Sequence, residues 1–367
     1  MDLIICKVTG SIGMPRGRLL PIRRVKGVAF IPERVYAREK ALDYPRGQEA
    51  ITQFRRMGVP VSVLKARQRV PGMAKDSVRR GYIEAKKILI LDVVNTGSFI
   101  SSRPSADYQL PLSSGCTGFC EYCYLNTTLG KRPYLKVYVN LEEILNQAAA
   151  YIEENPDREV TFEGSCTSDP IPVEPYLGSL EAAVNFFGRQ ERGRFRFVTK
   201  YTDVASLLQL DHRNHTRFRF SINMDEVIQR FEHGTPTLIP RLDAARRVIA
   251  AGYPSGFIVA PLILDEGWME QYSRLFLTVR EICGDLAGVN FTFELITHRY
   301  TDRAKQTIED VFPKTKLPMN PESRIYRRGQ FGYGKYLYPK DLMAEAKERF
   351  GDLVRSNFPD ARIDYFI

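Results

Sequence analysis

Cys116, Cys120 and Cys123 form a C-x3-C-x2-C pattern within the stretch Ser113-Ser114-Gly115-Cys116-Thr117-Gly118-Phe119-Cys120-Glu121-Tyr122-Cys123-Tyr124. Three thiolates so close together, flanked by glycine and aromatics, point to one metal centre. A closed tetrahedral zinc site needs four ligands. The pattern therefore implies a fourth ligand from elsewhere, or a coordination position left for a substrate. Cys166 is a fourth cysteine, in the polar run Ser165-Cys166-Thr167-Ser168-Asp169. Cys6 and Cys283 lack such context and are read as non-catalytic. Of the four histidines, His212, His215, His233 and His298, none shows ligand pairing with the cysteine loop. His212 and His215 fall in a predicted loop and are expected at the surface.

A regular α/β scaffold is expected to hold these groups. Predicted strands at Tyr108–Leu112, Val160–Glu163, Phe195–Lys200, Arg217–Asn223, Phe257–Leu264 and Phe291–Ile296 alternate with helices at Leu141–Glu154, Tyr176–Phe187, Asp203–Leu208, Pro240–Ala251, Trp268–Ile282 and Asp302–Val311. Six βα units with short connections imply parallel strands and helical crossovers. No glycine-rich dinucleotide fingerprint follows the first strand, so a barrel-like arrangement fits better than a doubly wound sheet. In parallel βα barrels the functional residues sit at the C-terminal strand ends. Here those ends carry the cysteine loop, Cys166, Lys200, Ser221 with Asn223, and His298.

The remaining chain divides into a basic extension at 1–27, an N-terminal α/β region at 28–105, the barrel at 106–300 and a C-terminal region at 301–367. The N-terminal region is expected to hold an apolar start at Ala29–Pro32, a helix over Pro45–Met57, a strand over Val59–Leu64, a basic loop through Arg80 and a buried strand over Lys87–Val94. The C-terminal region is expected to hold a hairpin over Ile325–Tyr338, an amphipathic helix over Asp341–Asn357 and a short apolar tail at Ile363–Ile367.

The chain has 367 residues, a net charge of +10 and a pI near 9.2. That balance favours a polyanionic partner, nucleic acid first among candidates. Six cysteines, three of them clustered, do not form a disulfide framework in a chain this long. The N-terminus lacks the basic region and cleavage site of a signal peptide, and no apolar run approaches the ~20 residues that span a bilayer. A cytoplasmic protein with no membrane association is expected.

C-x3-C-x2-C after a first barrel strand resembles the radical S-adenosylmethionine (SAM) superfamily. There the thiolates bind three irons of a [4Fe–4S] cluster, and the fourth iron takes the amino and carboxylate groups of SAM. The flanks Ala106-Asp107-Tyr108 and Tyr122–Gly130 are similar to the spore photoproduct lyase family. So are Cys166-Thr167-Ser168-Asp169, Arg194–Lys200, Thr216–Asn223, Ala251–Pro261, Phe293–Arg299 and Gly332–Tyr336. The resemblance runs from Val28 to Ile367.

It implies a partial (β/α)6 TIM-like barrel and a DNA repair lyase. The reduced cluster cleaves SAM to a 5′-deoxyadenosyl radical, which abstracts hydrogen from C6 of the lesion 5-thyminyl-5,6-dihydrothymine. Cys166 matches the cysteine that returns a hydrogen atom to the product radical, and the weak S–H bond suits that task. Tyr122 and Tyr124 match tyrosines implicated in restoring the thiol. Tyr122, Ser168, Lys200, Ser221 and Asn223 stand where SAM contacts are expected. The implied partners are damaged double-stranded DNA, with the lesion extruded, and an electron donor such as a flavodoxin or ferredoxin; a monomer is expected. Arg327, Arg328, Gln330, Phe331, Tyr333 and Lys335 of the hairpin are candidate lesion and phosphate contacts. Here the chain departs from the family: Gly329-Gln330-Phe331-Gly332 replaces the common Gly-Arg-Tyr-Gly. Two other readings remain at this stage, a radical SAM enzyme for a different nucleic-acid substrate and a non-enzymatic Fe–S DNA-binding protein. A hydrogen-donor cysteine argues against the latter.

Overall fold

The structure is a computed structural model that describes residues 30–71, 74, 76–284, 291–328 and 334–367. The chain first lays down parallel strands β1 (Arg34–Arg38), β2 (Val61–Leu64) and β3 (Ile88–Asp92). The first strand thus follows the apolar start expected at Ala29–Pro32 rather than coinciding with it. Helix α1 (Pro45–Arg56) has proline in its first turn, where a missing N–H costs nothing. Helix α2 (Val78–Lys86) occupies part of the expected basic loop. Ser77 caps it, accepting from the Arg80 amide at 3.3 Å. Its arginines obscured the helical pattern: Arg79 and Arg80 face water while Tyr82, Ala85 and Lys86 are buried.

Short strands β4 (Ser101–Ser102), β5 (Ala106–Leu110), β6 (Ser113–Ser114) and β7 (Phe119–Cys120) follow, then the one-turn helix α3 (Leu125–Thr128) and β8 (Leu135–Tyr138). The sequence reading had no strand at β8. It joins the first sheet, whose order is β2-β1-β3-β8-β6. One face of that sheet packs on α1 with Val173, Tyr176 and Leu177, the other on Val70 and Ala85. Burial on both faces explains the unbroken apolar run Ile88–Leu91.

The second sheet carries the site. Helix α4 (Leu141–Glu153) leads to β9 (Val160–Gly164), and α5 (Glu174–Leu177) and α6 (Ser179–Gly188) lead to β10 (Gly193–Thr199). The single helix expected over Tyr176–Phe187 is broken at Gly178, whose φ of 62° no helix interior tolerates. A short 3-10 turn, Ala205–Leu207, precedes β11 (Thr216–Ile222). Helix α7 (Asp225–Phe231), strand β12 (Glu232–His233) and helix α8 (Leu238–Ala250) lead to β13 (Ser255–Leu262). Helix α9 (Trp268–Cys283) leads to β14 (Thr292–Thr297). After α10 (Asp302–Val311) come the antiparallel strands β15 (Ile325–Arg328) and β16 (Gly334–Leu337), helix α11 (Lys340–Asn357) and β17 (Arg362–Phe366). The expected apolar tail is therefore a strand: β17 pairs in parallel with β14.

The order is β17-β14-β13-β11-β10-β9-β5-β4, with only β4 antiparallel. The six expected barrel strands are present, and β17 adds a seventh. Alternation explains which face is which. In Arg194-Phe195-Arg196-Phe197 and Arg217-Phe218-Arg219-Phe220 the phenylalanines enter the large core shared with the helices, so the arginines point to the concave side. There Arg219 binds Glu163 of β9 and Glu294 of β14, and Arg196 of β10 also reaches Glu294. In a flat sheet three strand spacings would hold β10 and β14 ~14 Å apart. The ion pairs span that separation because the sheet is curled into a partial barrel. Among the described residues no helix is long and apolar enough to cross a membrane.

Candidate active site

The cysteine loop begins where β5 ends and is held from three sides. On the first, Gly115 donates its amide to the Thr167 carbonyl at 2.8 Å and bridges Ser168. Gly115 has φ +82°, and a Cβ there would meet the Tyr134 carbonyl oxygen at 2.3 Å. Only glycine fits this turn. On the second side β7 pairs with β12, so that Cys120 lies opposite Glu232 and Phe119 opposite His233. On the third, Lys86 of α2 donates to the carbonyls of Cys116, at 2.9 Å, and Gly118. The Gly118 amide in turn points at Cys116 Sγ, 3.4 Å away.

Burial pushes the Cys116 thiol up to about 11, with Lys86 the first opposing influence, and raises Cys120 further. Cys123 adds to the rise at Cys116, and Cys123 and Cys116 both add to the rise at Cys120. Thiolates packed this way are stable only around cations, and three soft sulfur donors on one short loop fit an iron–sulfur cluster. Among the described residues no three His, Cys, Asp or Glu side chains gather as a single-ion site requires. His233 engages Glu121 at 2.7 Å instead. The expected surface placement of His212 is corrected: it is buried, stacked on Tyr253 at 3.7 Å and bonded to the Ala251 carbonyl.

Cys166 sits on the loop after β9, beside the cysteine loop. Gly164 lets β9 approach β10, since a Cβ there would fall 2.6 Å from the Phe195 ring. Ser165 then adopts φ 56°, a conformation that costs of order 1 kcal/mol outside glycine. Its hydroxyl offsets this by accepting the Ser113 amide at 3.1 Å and bonding the Ser113 hydroxyl at 3.0 Å. Ser113 also reaches Ser168 at 3.0 Å. This hydroxyl ladder ties the two loops together. The Cys166 sulfur lies 3.2 Å from Ser102 Oγ and 3.7 Å from the Glu163 carbonyl. Burial, aided by the Glu163 charge, pushes the thiol up to about 12. Cys166 is thus held as S–H, the form that can give a hydrogen atom. The exposed Tyr124 donates its hydroxyl to the Cys166 carbonyl.

A second group of side chains lies at the ends of β10 and β11. Lys200 Nζ donates to Ser221 Oγ at 2.8 Å, Glu232 Oε1 at 3.1 Å and the Tyr122 hydroxyl at 3.3 Å. Tyr122 donates to Glu232, and Arg241 pairs with the same carboxylate at 2.6 Å. Burial pushes the Glu232 carboxyl up, but the Lys200 and Arg241 charges and the hydrogen bonds from Tyr122 and Arg241 outweigh it and leave it below the ordinary carboxylate range. An ammonium, a carboxylate and hydroxyls side by side suit a zwitterionic amino acid such as the methionyl part of SAM. Asn223 does not join them: it is fully buried, donating to the Pro261 carbonyl at 2.8 Å and accepting from the Met224 amide at 2.9 Å.

Arg327, Arg328 and Lys335 are exposed on the hairpin strands, which dock through reciprocal backbone bonds between Tyr300 and Tyr336. Gln330, Phe331 and Tyr333 lie outside the described residues, as do residues 1–29 with Cys6. Sequence reasoning missed Lys86, Ser102, Glu232 and Arg241. Each meets its site partners only through the fold, and no local pattern marked them. The charged concave face did carry a signal, the RFRF alternation.

The spore photoproduct lyase family model matches residues 30–367. A spore photoproduct lyase from Clostridium acetobutylicum is 44% identical over 334 residues, 91% of this chain and 98% of that protein. Its counterpart from Bacillus subtilis is 43% identical over 337 residues, 92% of this chain and 98% of that protein. Among solved structures, a variant spore photoproduct lyase with bound AdoMet and dinucleoside spore photoproduct superposes with a TM-score of 0.88. It is 42% identical, over 92% of this chain and all of that one.

Proposed function

Because the chain belongs to the spore photoproduct lyase family, we propose how its own residues perform that family's repair. It is a radical SAM lyase that returns 5-thyminyl-5,6-dihydrothymine to two thymines, with a [4Fe–4S] cluster and SAM as cofactors. Cys116, Cys120 and Cys123 would hold the cluster. Ser168, Lys200 and Ser221 receive the polar end of SAM, and Glu232 keeps Lys200 and Tyr122 in position for it. When bound, these cofactors supply a primary carbon radical that removes the C6 hydrogen of the lesion.

The methylene bridge then breaks and leaves a thymine-based radical. Cys166 gives it a hydrogen atom: the S–H bond breaks, a C–H bond forms, and sulfur keeps one electron. Through Tyr124, whose hydroxyl reaches the Cys166 backbone, and Tyr122, held between Glu232 and Lys200, sulfur then regains a hydrogen atom from the 5′-deoxyadenosine formed earlier, the S–H bond re-forming as that C–H bond breaks. The observation that carries this reading is the direct tie between the two loops, from the Gly115 amide to the Thr167 carbonyl at 2.8 Å. It keeps a protonated cysteine next to the metal-binding loop.

The working substrate is the lesion in double-stranded DNA, extruded at a cost of a few kcal/mol, with Arg327, Arg328 and Lys335 on the phosphates. A low-potential flavodoxin or ferredoxin supplies the electron, and the monomer is the active unit. Anaerobic reconstitution with iron, sulfide, SAM, dithionite and the dinucleotide lesion tests the reading. Repair to the thymine dinucleotide supports it. SAM cleavage without repair would transfer the chemistry to another nucleic-acid substrate, as the Gln330-Phe331 departure allows.

A further inference from the structure

Lys86 is a cation in an unusual place. It is only 5% exposed, at the last position of α2. Its ammonium donates to the Cys116 carbonyl at 2.9 Å and to the Gly118 carbonyl. The Tyr82 and Phe119 rings flank it, with centroids 5.3 and 5.1 Å away. Tyr82 and Lys86 are four residues apart on one helix, so both project from the face turned to the cysteine loop.

Among the described residues no carboxylate lies within ion-pair distance of this ammonium. Of the other buried cations among the described residues, Arg196, Arg219 and Arg241 are ion-paired with Glu163, Glu294 or Glu232, while Arg324 rests on the His298 and Pro318 carbonyls and the Tyr338 ring. A buried charge without a counter-charge is costly. Two neutral carbonyls and two aromatic faces satisfy its hydrogen bonds but leave its charge unbalanced. The ammonium is bonded to the cysteine loop, which becomes negative once its thiolates are ionised around metal.

We propose that Lys86 is a positioning residue of the metal centre, a buried ammonium that pins the cysteine loop and serves as counter-charge to the iron–sulfur cluster. The N-terminal α/β unit thereby acts directly on the site. Reduction adds one electron, from dithionite or a low-potential redox protein, and makes the cluster more negative. A fixed cation favours that reduced form, so Lys86 raises the midpoint potential. The hydrogen bonds to Cys116 and Gly118 hold the first ligand in place between turnovers.

This rests on the three cysteines binding a cluster, and the two claims fail differently. If the wild-type protein takes up no iron, the cluster reading is lost. The role of Lys86 is tested in loaded enzyme by redox titration followed by electron paramagnetic resonance without SAM. Lys86→Met keeps the apolar stem and removes the charge. Its reduced-to-oxidised ratio at a fixed ambient potential is expected to fall about tenfold, which is about 59 mV for one electron. Lys86→Arg keeps the charge and is expected to stay much closer to wild type. A wild-type potential in Lys86→Met, or an equal shift in both variants, overturns the proposal. If Lys86→Met retains no cluster, Lys86→Arg decides: wild-type iron content and potential support the ammonium's role, and loss of iron there as well shows that packing alone holds the loop.

Discussion

Glu232→Gln is the most demanding test of the site's architecture, because one carboxylate holds three partners. Glu232 is buried and accepts from Tyr122, Lys200 and Arg241. Glutamine preserves the volume and removes the charge. Arg241, with no exposed surface, then keeps only the Ser221 and Pro236 carbonyls and the Thr235 hydroxyl. Removing one partner of a buried pair costs about 3–5 kcal/mol. Unfolding entropies near 2.1 cal/mol/K per residue imply about 0.8 kcal/mol/K for a chain of 367 residues. The thermal midpoint, followed by circular dichroism under anaerobic conditions, should therefore fall by about 4–6 °C. Adding Arg241→Met removes the stranded cation, and the double variant should recover part of the loss despite carrying one more substitution. A midpoint unchanged in Glu232→Gln, or a double variant worse than the sum of its parts, refutes the assignment of Glu232 as the ionised hub.

Cys166→Ala should leave lesion consumption intact but divert the product away from the thymine dinucleotide, as product chromatography will show; undiminished repair removes Cys166 from the donor role. Because burial holds its thiol near 12, the yield of correct product should show no ionisation step of Cys166 between pH 7 and about pH 10. His298, buried beside Arg324 and Arg299, has its basicity lowered by burial first and those charges second, to about 3. The unfolded chain binds that proton from about pH 6.5 downwards and the folded one does not. This contribution to stability is therefore complete above pH 6.5 and is lost as pH falls towards 3, by up to about 1.4 kcal/mol per unit. His298→Gln should flatten the acid limb of a denaturation series by that amount. Replacing Arg327, Arg328 and Lys335 together by alanine should lower the slope of log binding constant against log salt for duplex DNA by about 2.7; an unchanged slope removes the hairpin from the phosphate interface.

Much of this protein is legible in one dimension, for reasons particular to its residues. The C-x3-C-x2-C loop packs three soft ligands within a few residues, so no folding argument is needed to bring them together. The six βα units announce themselves by period, and the placement of reactive groups at strand ends follows from the topology of parallel sheets. Cys166 stood out because a cysteine among hydroxyls at a strand end has little packing value. Other elements escaped because their signals were short or overwritten. Arg79 and Arg80 gave α2 the look of a basic loop, β8 is four residues long, and β17 followed a long helix as an apparent tail until pairing with β14 made it a strand.

Tertiary structure alone decided which charges meet. Glu232 lies 32 residues from Lys200 and 110 from Tyr122, and Lys86 lies 30 from Cys116. Asn223 and Lys200 both read as strand-end polar residues, yet the fold turns one into the backbone and the other towards the site. Spacing along a chain fixes a loop or one helical face. The energy of a buried charge depends on partners that only the curl of the sheet and the docking of the N-terminal unit bring within a few ångströms.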